Sequence, residues 1–397
     1  MTTEIMEQAD QVIAKTYKRF PVVLAKGSGC TLYDTDGRSY TDFVAGIAVC
    51  NLGHAHPAIT RALTAQAQML WHVSNLYYTM PQVELAAWLV KNSFADRVFF
   101  CNSGAEANEA AIKLARKYYN ERGQNQRFRI IAMEQSFHGR TMATLSATGQ
   151  DKIKKGFDPI LDGFDFVPFN DVAALQSKIG PDTCAVMLEP VQGEGGVRCP
   201  DPDYLKAVRQ VCDENGLLLI FDEIQTGMGR TGTLFAYQNF AVEPDIMTLA
   251  KALANGLPIG AMLAKEQVAD AFGPGAHATT FGGTPIVTAA ALEVCKTLLE
   301  GNVVEQGRKR AAYFREKLLD LKSRHESIVD VRGLGMLLGI KLNFNAESMV
   351  TRCMQQGFFI NCIQESILRF VPPLIIKEEE IDALVDCLDE LLGENDK

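Results

Sequence analysis

From residue 97 onward the chain alternates short apolar runs with stretches in which apolar residues recur every three or four positions. The short runs are RVFFC (97–101), RIIAM (129–133), AVMLEP (185–190), LLLIFD (217–222), IMTLA (246–250) and GAMLA (260–264). Runs of this length, bounded by turn formers, read as strands buried on both faces. The longer period between them predicts helices, notably at 105–119 and 203–214. On the first of these, Ala107, Ala111, Leu114, Ala115 and Tyr118 share one face, mostly small residues suited to close packing on a sheet. Strands alternating with helices predict an α/β fold whose mostly parallel central sheet is covered by helices on both sides.

Either side of this region the pattern changes. Residues 1–20 are polar with a helical period, and the pattern becomes helical again from about 58. Asp36-Gly37 is a two-residue turn signal between strand-like runs, which predicts a hairpin at 31–43. After about 285, two long amphipathic helices (285–300 and 303–324) precede VRGLGMLLGIKL and a terminal helix at 378–393. The expected division is an N-terminal segment, 1–50, packing with a small domain; a large domain, 51–280; and that small α+β domain, 281–397. The chain shows no internal repeat and no low-complexity tract.

Composition narrows the partners. A net charge of −9 argues against non-specific nucleic-acid binding, which needs clustered lysine and arginine. The ten cysteines form no C-x-x-C pair and no zinc-type spacing with histidine, which predicts a reducing compartment, no disulfides and no metal. His54 and His56 in GHAHP lack a third ligand and read as structural. MTTEIMEQADQVIAK carries acids where a secretory signal has an apolar stretch, and no run approaches the ~18 residues of a membrane span. A cytoplasmic protein is expected.

Candidate chemistry gathers at the strand ends. Asp222 ends a buried apolar run, where open α/β sheets place ligand chemistry. Lys251 follows 29 positions later, just past the next strand. An acid and a lysine aimed into one crevice suit a cofactor needing an amine tether and a counter-charge, and pyridoxal phosphate is such a cofactor. NSGAEANEA (102–110) opens a helix after a strand, so the amides near Ser103 and Gly104 form either an anion site for a phosphate or a plain N-cap. In SFHGRT (136–141), Phe137 could lie on an aromatic ring and Arg140 could fork onto a carboxylate; a core phenylalanine and a solvated arginine are the alternative. Glu194 stands in the glycine-rich EPVQGEGGV, where a mobile backbone suits a side chain that changes partners. Gln225 lies three residues past Asp222, and Thr279 and Thr280 sit beside a glycine turn. Arg369, in the strand-like LRFVPPLII, needs an anionic partner if buried, whether a substrate carboxylate or a structural salt bridge.

Taken together, SGAEANE, FHGRT, EPVQGEGG, FDEIQTGMGRTG, AKAL and RFVPPLII resemble the class-III pyridoxal-phosphate aminotransferases, over residues 20 to 376. The resemblance implies fold type I and a homodimer with active sites at the subunit interface. It implies roles as well. Lys251 would tether the cofactor and shuttle the proton, and Asp222 would pair with the pyridine nitrogen. Gln225 would meet the phenolic oxygen and Phe137 would stack on the ring. Ser103, Gly104 and Ala105 would hold the phosphate, and Thr280 would reach the phosphate of the neighbouring subunit. The implied reaction moves the δ-amino group of N2-acetylornithine to 2-oxoglutarate, releasing glutamate. Arg140, with Thr279 nearby, would bind the donor's α-carboxylate, while Arg369 would take that of glutamate once Glu194 swings off it. Succinylornithine, succinyl-diaminopimelate, ornithine and 4-aminobutyrate are alternative donors, and an intramolecular aminomutase is an alternative reaction. AGIAVCNLGH (45–54) lacks the tyrosine associated with free-ornithine enzymes, which favours an acylated donor. Two departures stand out: Thr284 where the family has asparagine in GGNP, and Ala254-Asn255 in place of a glycine pair.

Overall fold

The structure is a computed structural model that describes residues 2–395; Met1, Asp396 and Lys397, which fall within the expected outer segments, lie outside the described residues. Its centre is a seven-stranded sheet built from β1 (Arg97–Cys101), β2 (Arg129–Met133), β3 (Phe164–Val167), β4 (Thr183–Leu188), β5 (Leu218–Asp222), β6 (Ile246–Leu249) and β7 (Gly260–Ala264). The spatial order is β1-β7-β6-β5-β4-β2-β3. Strands β2 to β6 pair in parallel, whereas β7 runs antiparallel to both β1 and β6. Every residue of β4, β5, β6 and β7 is buried, which is why these strands read as unbroken apolar runs.

Sequence periodicity passed over β3. Its four residues, FDFV, alternate apolar with polar at the sheet edge, where Asp165 faces Arg129 and Lys178. The helix Gly104–Asn120 packs Ala107, Ala111, Leu114 and Ala115 into the core as expected. Tyr118 is a correction. It is only half-buried, under Arg122 with the guanidinium 3.6 Å from the ring centre, and Tyr119 is the buried aromatic. The Tyr119 hydroxyl donates to Gly216 O at 2.5 Å, so the last helical turn is anchored past the strand ends rather than on the sheet.

Two smaller sheets flank this one. Leu24–Ser28, Thr31–Asp34 and Ser39–Asp42 form an antiparallel meander that Phe358–Phe359 joins in parallel, so the first and last parts of the chain share a sheet. Ile328–Leu334, Leu337–Leu342, Ile367–Phe370 and Asn361–Ile363 form a four-stranded antiparallel sheet. The helices Pro285–Glu300, Val303–Arg324 and Glu378–Asn395 match their sequence periodicity closely. Arg230, fully buried, bonds across the elements: it donates to Met336 O at 3.0 Å, Pro372 O at 2.6 Å and the Asn51 side chain. It thereby fixes the outer sheet's Arg369 segment against the large sheet's loop.

Candidate active site

Strands β1, β5 and β6 end on the same side of the sheet, and a cavity of about 430 Å³ opens there. That size is ordinary for a small-molecule site. Its walls include Ser103, Gly104, Ala105, Phe137, Arg140, Glu194, Asp222, Gln225 and Lys251, residues drawn from five separated motifs.

Asp222 is braced from three sides. Its Oδ2 accepts from His138 Nδ1 and from Asn108 Nδ2, each at 2.8 Å, and its Oδ1 accepts from Ile224 N at 3.1 Å. Asn108 is held in turn by Thr248 Oγ1 at 2.7 Å and reaches His138 O at 2.7 Å. A carboxylate so buried would cost several kcal/mol without such partners. The network fixes both its charge and its aim.

Lys251 begins a short 3-10 turn directly after β6, with φ 43. That left-handed conformation is unusual for a non-glycine residue and tends to occur where function requires it. Burial pushes the amine below the ordinary lysine range and Arg369 adds to this, while Glu194, Asp222 and Glu189 pull the other way. A lowered lysine carries more of the free amine that a nucleophile or base requires.

At the opposite end the helix Gly104–Asn120 starts. Ser103 caps it, accepting from Glu106 N at 3.2 Å and donating to Glu106 Oε2 at 3.0 Å. Its hydroxyl therefore serves the cap. The amides of Gly104 and Ala105, in the unpaired first turn, are the groups offered to an anion. Phe137 forms a wall, with the Arg140 guanidinium 5.7 Å from its ring centre. Arg140 itself is exposed at the mouth.

Arg369, 1% exposed, does not line the cavity wall but stands behind it. Its Nη1 donates to Glu194 Oε1 at 2.5 Å and to Gln225 Oε1 at 3.4 Å, and Asn361 Oδ1 accepts from Nε and Nη2 at 3.1 and 2.7 Å. Burial opposes the charge on Glu194, but Arg369 and Lys251 hold its carboxyl below the usual range. Gln225 is drawn toward this pair as well as toward the cavity.

Thr279 and Thr280 are not brought into the cavity by this chain. Thr279 Oγ1 accepts from Asn102 Nδ2 at 3.1 Å and from Gly282 N at 3.2 Å, behind the helix start, and Thr280 is exposed. Both departures from the family motifs are absorbed locally. Asn255 adopts φ 50, a glycine-like conformation, and its amide bonds Leu52 N at 2.8 Å and Gly53 O at 2.9 Å. Thr284 donates to Trp71 O at 2.6 Å from the N-cap position of the helix that follows, whose first turn its side chain does not cap. His54 bonds Asp42 at 2.7 Å, a structural contact. Among the described residues, no group of three or more His, Cys, Asp or Glu could hold a metal ion.

A family model for the class-III aminotransferases matches residues 12–392. This chain belongs to that family. The aminotransferase is 51% identical over 382 residues to the acetylornithine aminotransferase of Methanocaldococcus jannaschii, covering 95% of each chain. It is likewise 51% identical over 395 residues to that of Thermosynechococcus vestitus, covering 97% of this chain and 96% of the other. Among solved structures it resembles the ornithine aminotransferase from Toxoplasma gondii ME49, with a TM-score of 0.96 at 31% identity over 100% of this chain and 96% of that one. It also resembles the acetylornithine aminotransferase from Elizabethkingia anophelis, with a TM-score of 0.88 at 32% identity over 99% of each chain. The fold is fold type I, and the cofactor is pyridoxal 5'-phosphate. The residues present fit that group: an amide-rich helix start for its phosphate, an aromatic wall for its ring, a braced acid and a buried lysine.

Sequence reasoning singled out most of the groups that face the cavity but missed those that brace Asp222. His138, Asn108 and Thr248 are each buried and unremarkable in sequence. A polar histidine beside Phe137 inside SFHGRT was the available signal. Ile224, whose side chain lies where a Cβ on Gly104 would come within 2.8 Å, was also missed.

Proposed function

We propose that this aminotransferase moves the δ-amino group of N2-acetyl-L-ornithine to 2-oxoglutarate, giving N-acetyl-L-glutamate 5-semialdehyde and L-glutamate, as in arginine biosynthesis. The observation that carries the reading is the buried Arg369 paired to Glu194 beside a cavity holding Lys251 and Asp222. Relatives named acetylornithine aminotransferase, at about half identity over nearly the whole chain, support the choice of donor.

Bound pyridoxal phosphate supplies an electron sink that stabilises negative charge on the carbon bearing the amino group. Lys251 would tether the cofactor and, once the incoming substrate amine has displaced it, would take a proton from that carbon as the free amine that its lowered pKa favours, and return one. Asp222 keeps the ring nitrogen protonated by opposite-charge attraction. Gly104 and Ala105 would hold the phosphate with their amides, Ser103 shapes that turn, Phe137 would pack on the ring and Gln225 would meet the phenolic oxygen. Arg140 orients the donor's α-carboxylate and Arg369 that of glutamate, while Thr279, held behind the helix start by Asn102, would meet a donor only across the dimer interface. Glu194 neutralises Arg369 while the donor is bound and leaves it when a dicarboxylate enters. Orientation of this kind supplies much of a transaminase's rate.

The same reading makes the protein a homodimer. Trp71, Leu76, Tyr77, Tyr78, Met80 and Phe281 are all exposed, Tyr78 at 97%, and Phe281 adjoins the exposed Thr280. An apolar patch of this kind marks an interface, and Thr280 would hand its hydroxyl to the partner's phosphate site. All ten cysteines are free thiols, which suits the cytoplasm. Among the described residues, no helix is long and apolar enough to cross a membrane.

The decisive experiment measures kcat/KM side by side for acetylornithine, succinylornithine, succinyl-diaminopimelate, ornithine and 4-aminobutyrate, with and without 2-oxoglutarate. Acetylornithine should lead, and turnover should require the acceptor. Turnover without an acceptor would mean an aminomutase and end the proposal.

A further inference from the structure

Glu189 has no part in the reaction as described, yet it stands in the cavity wall at 6% exposure. It sits just past β4, where strand gives way to the glycine-rich loop. Its Oε2 accepts from Phe137 N at 3.1 Å, and its Oε1 accepts from Gly193 N at 3.4 Å. One carboxyl thus ties the loop that carries Phe137 to the loop that carries Glu194. Among the described residues Glu189 makes no ion pair. The titratable groups that face it are His138 and Asp222 from neighbouring segments and Lys251 across the cavity, with Glu194 on its own loop.

The loop transmits what happens at Gly193. A Cβ there would lie 1.8 Å from Gln225 Oε1, and one at Gly195 would lie 2.7 Å from Gln135 O. The backbone is wedged against Gln225, and Gln225 touches both Arg369 at 3.4 Å and Glu194 at 3.5 Å. A shift at the Gly193 amide therefore reaches the carboxylate-binding pair within two contacts.

We propose that Glu189 is a positioning residue whose carboxyl, by engaging or releasing the Gly193 amide, sets how readily Glu194 leaves Arg369 when the dicarboxylate enters. The proposal rests on the transaminase reading above. The carboxyl changes state in the working range, because burial and the neighbouring Asp222 push it up to about 7 against the pull of His138 and the two amides. Ionised, both oxygens accept. Protonated, one becomes a hydroxyl, which is a poorer acceptor, and the longer bond to Gly193 is the one to weaken. The loop then loosens at acid pH and Glu194 departs more easily.

The test is amide hydrogen exchange of peptides spanning 190–197 in the cofactor-loaded protein from pH 6 to 8, corrected for intrinsic rates. Protection should fall about three- to tenfold as pH drops through a midpoint near 7, the size of exchanging a charge-assisted hydrogen bond for a neutral one. In Glu189→Gln, which cannot ionise, protection should stay at the acid level throughout. The KM for glutamate should fall at acid pH with the same midpoint in the parent and be flat in the variant, while the KM for the acylated donor should move the opposite way. Absence of a midpoint in the parent's exchange overturns the proposal without any variant, and so does a midpoint that survives in Glu189→Gln. Exchange needs no turnover. Failure to transfer amino groups with the midpoint intact would therefore sink the functional reading and leave only the Glu189–Gly193 contact standing, whereas a flat exchange profile in an active enzyme would sink this proposal alone.

Discussion

Replacing Glu194 by alanine isolates the cost of freeing Arg369. In the structure Arg369 Nη1 and Glu194 Oε1 are 2.5 Å apart, and Arg369 is almost fully buried. Hydrogen bonds to charged groups contribute about 1.5–3 kcal/mol. The Glu194 side chain keeps 29% exposure, so the lower part of that range applies, about 1.5–2 kcal/mol. An incoming glutamate must displace this contact before Arg369 can take its carboxylate. Removing Glu194 removes that handicap, roughly 10- to 30-fold at about 1.4 kcal/mol per decade. The acylated donor meets the opposite effect, because an uncompensated Arg369 charge now opposes its amine. Arg369 should stay in place, since Asn361 still accepts from it at 2.7 and 3.1 Å. Rapid-mixing measurements of the two half-reactions should show the ratio of kcat/KM, glutamate over donor, rising at least tenfold. A ratio within twofold of the parent would refute the exchange of partners between Glu194 and Arg369.

Three further outcomes are expected. Lys251→Ala should abolish multiple turnovers and leave no cofactor fixed to the chain after borohydride reduction; continued turnover at the parent rate would dismantle the assignment. Asp222→Asn should lower kcat by about three decades, the scale of losing one aimed charge at a reacting centre, with His138 left bonding a neutral amide. His54 sits beside Asp42, and the hydrogen bonds its ring donates to Asp42 and then Cys50 raise it to about 9. Its stabilisation is therefore fully present below the ordinary histidine value near 6.5 and is lost as pH rises through about 9, about 2–3 kcal/mol after allowance for its partial exposure. Urea unfolding from pH 6 to 10 should show that loss in the parent and not in His54→Gln.

Much of this architecture was legible in the chain because its signals were local. Arg97–Cys101, Arg129–Met133 and Gly260–Ala264 fall where their apolar runs end, and Pro285–Glu300 begins at a proline suited to a first turn. The reversed direction of β7 was not legible, since an apolar run carries no sign of its polarity. Edge strand β3 was too short to stand out. The site divides the same way. Lys251, Asp222 and Phe137 announced themselves by motif, whereas the bracing of Asp222 depends on residues 108, 138 and 248 meeting across three elements. Such meetings have no one-dimensional trace.

Arg369 and the groups that do the bond-making chemistry stand on different sheets. Lys251 and Asp222 belong to the ends of the central seven strands, while Arg369 is carried by Ile367–Phe370 in the outer antiparallel sheet, clamped to its neighbour by Arg230. Substitutions in the outer layer can therefore retune how the dicarboxylate docks without replacing any residue that handles the proton. A lineage with this layout can explore new dicarboxylate partners by drift in one layer, without first surrendering its reaction.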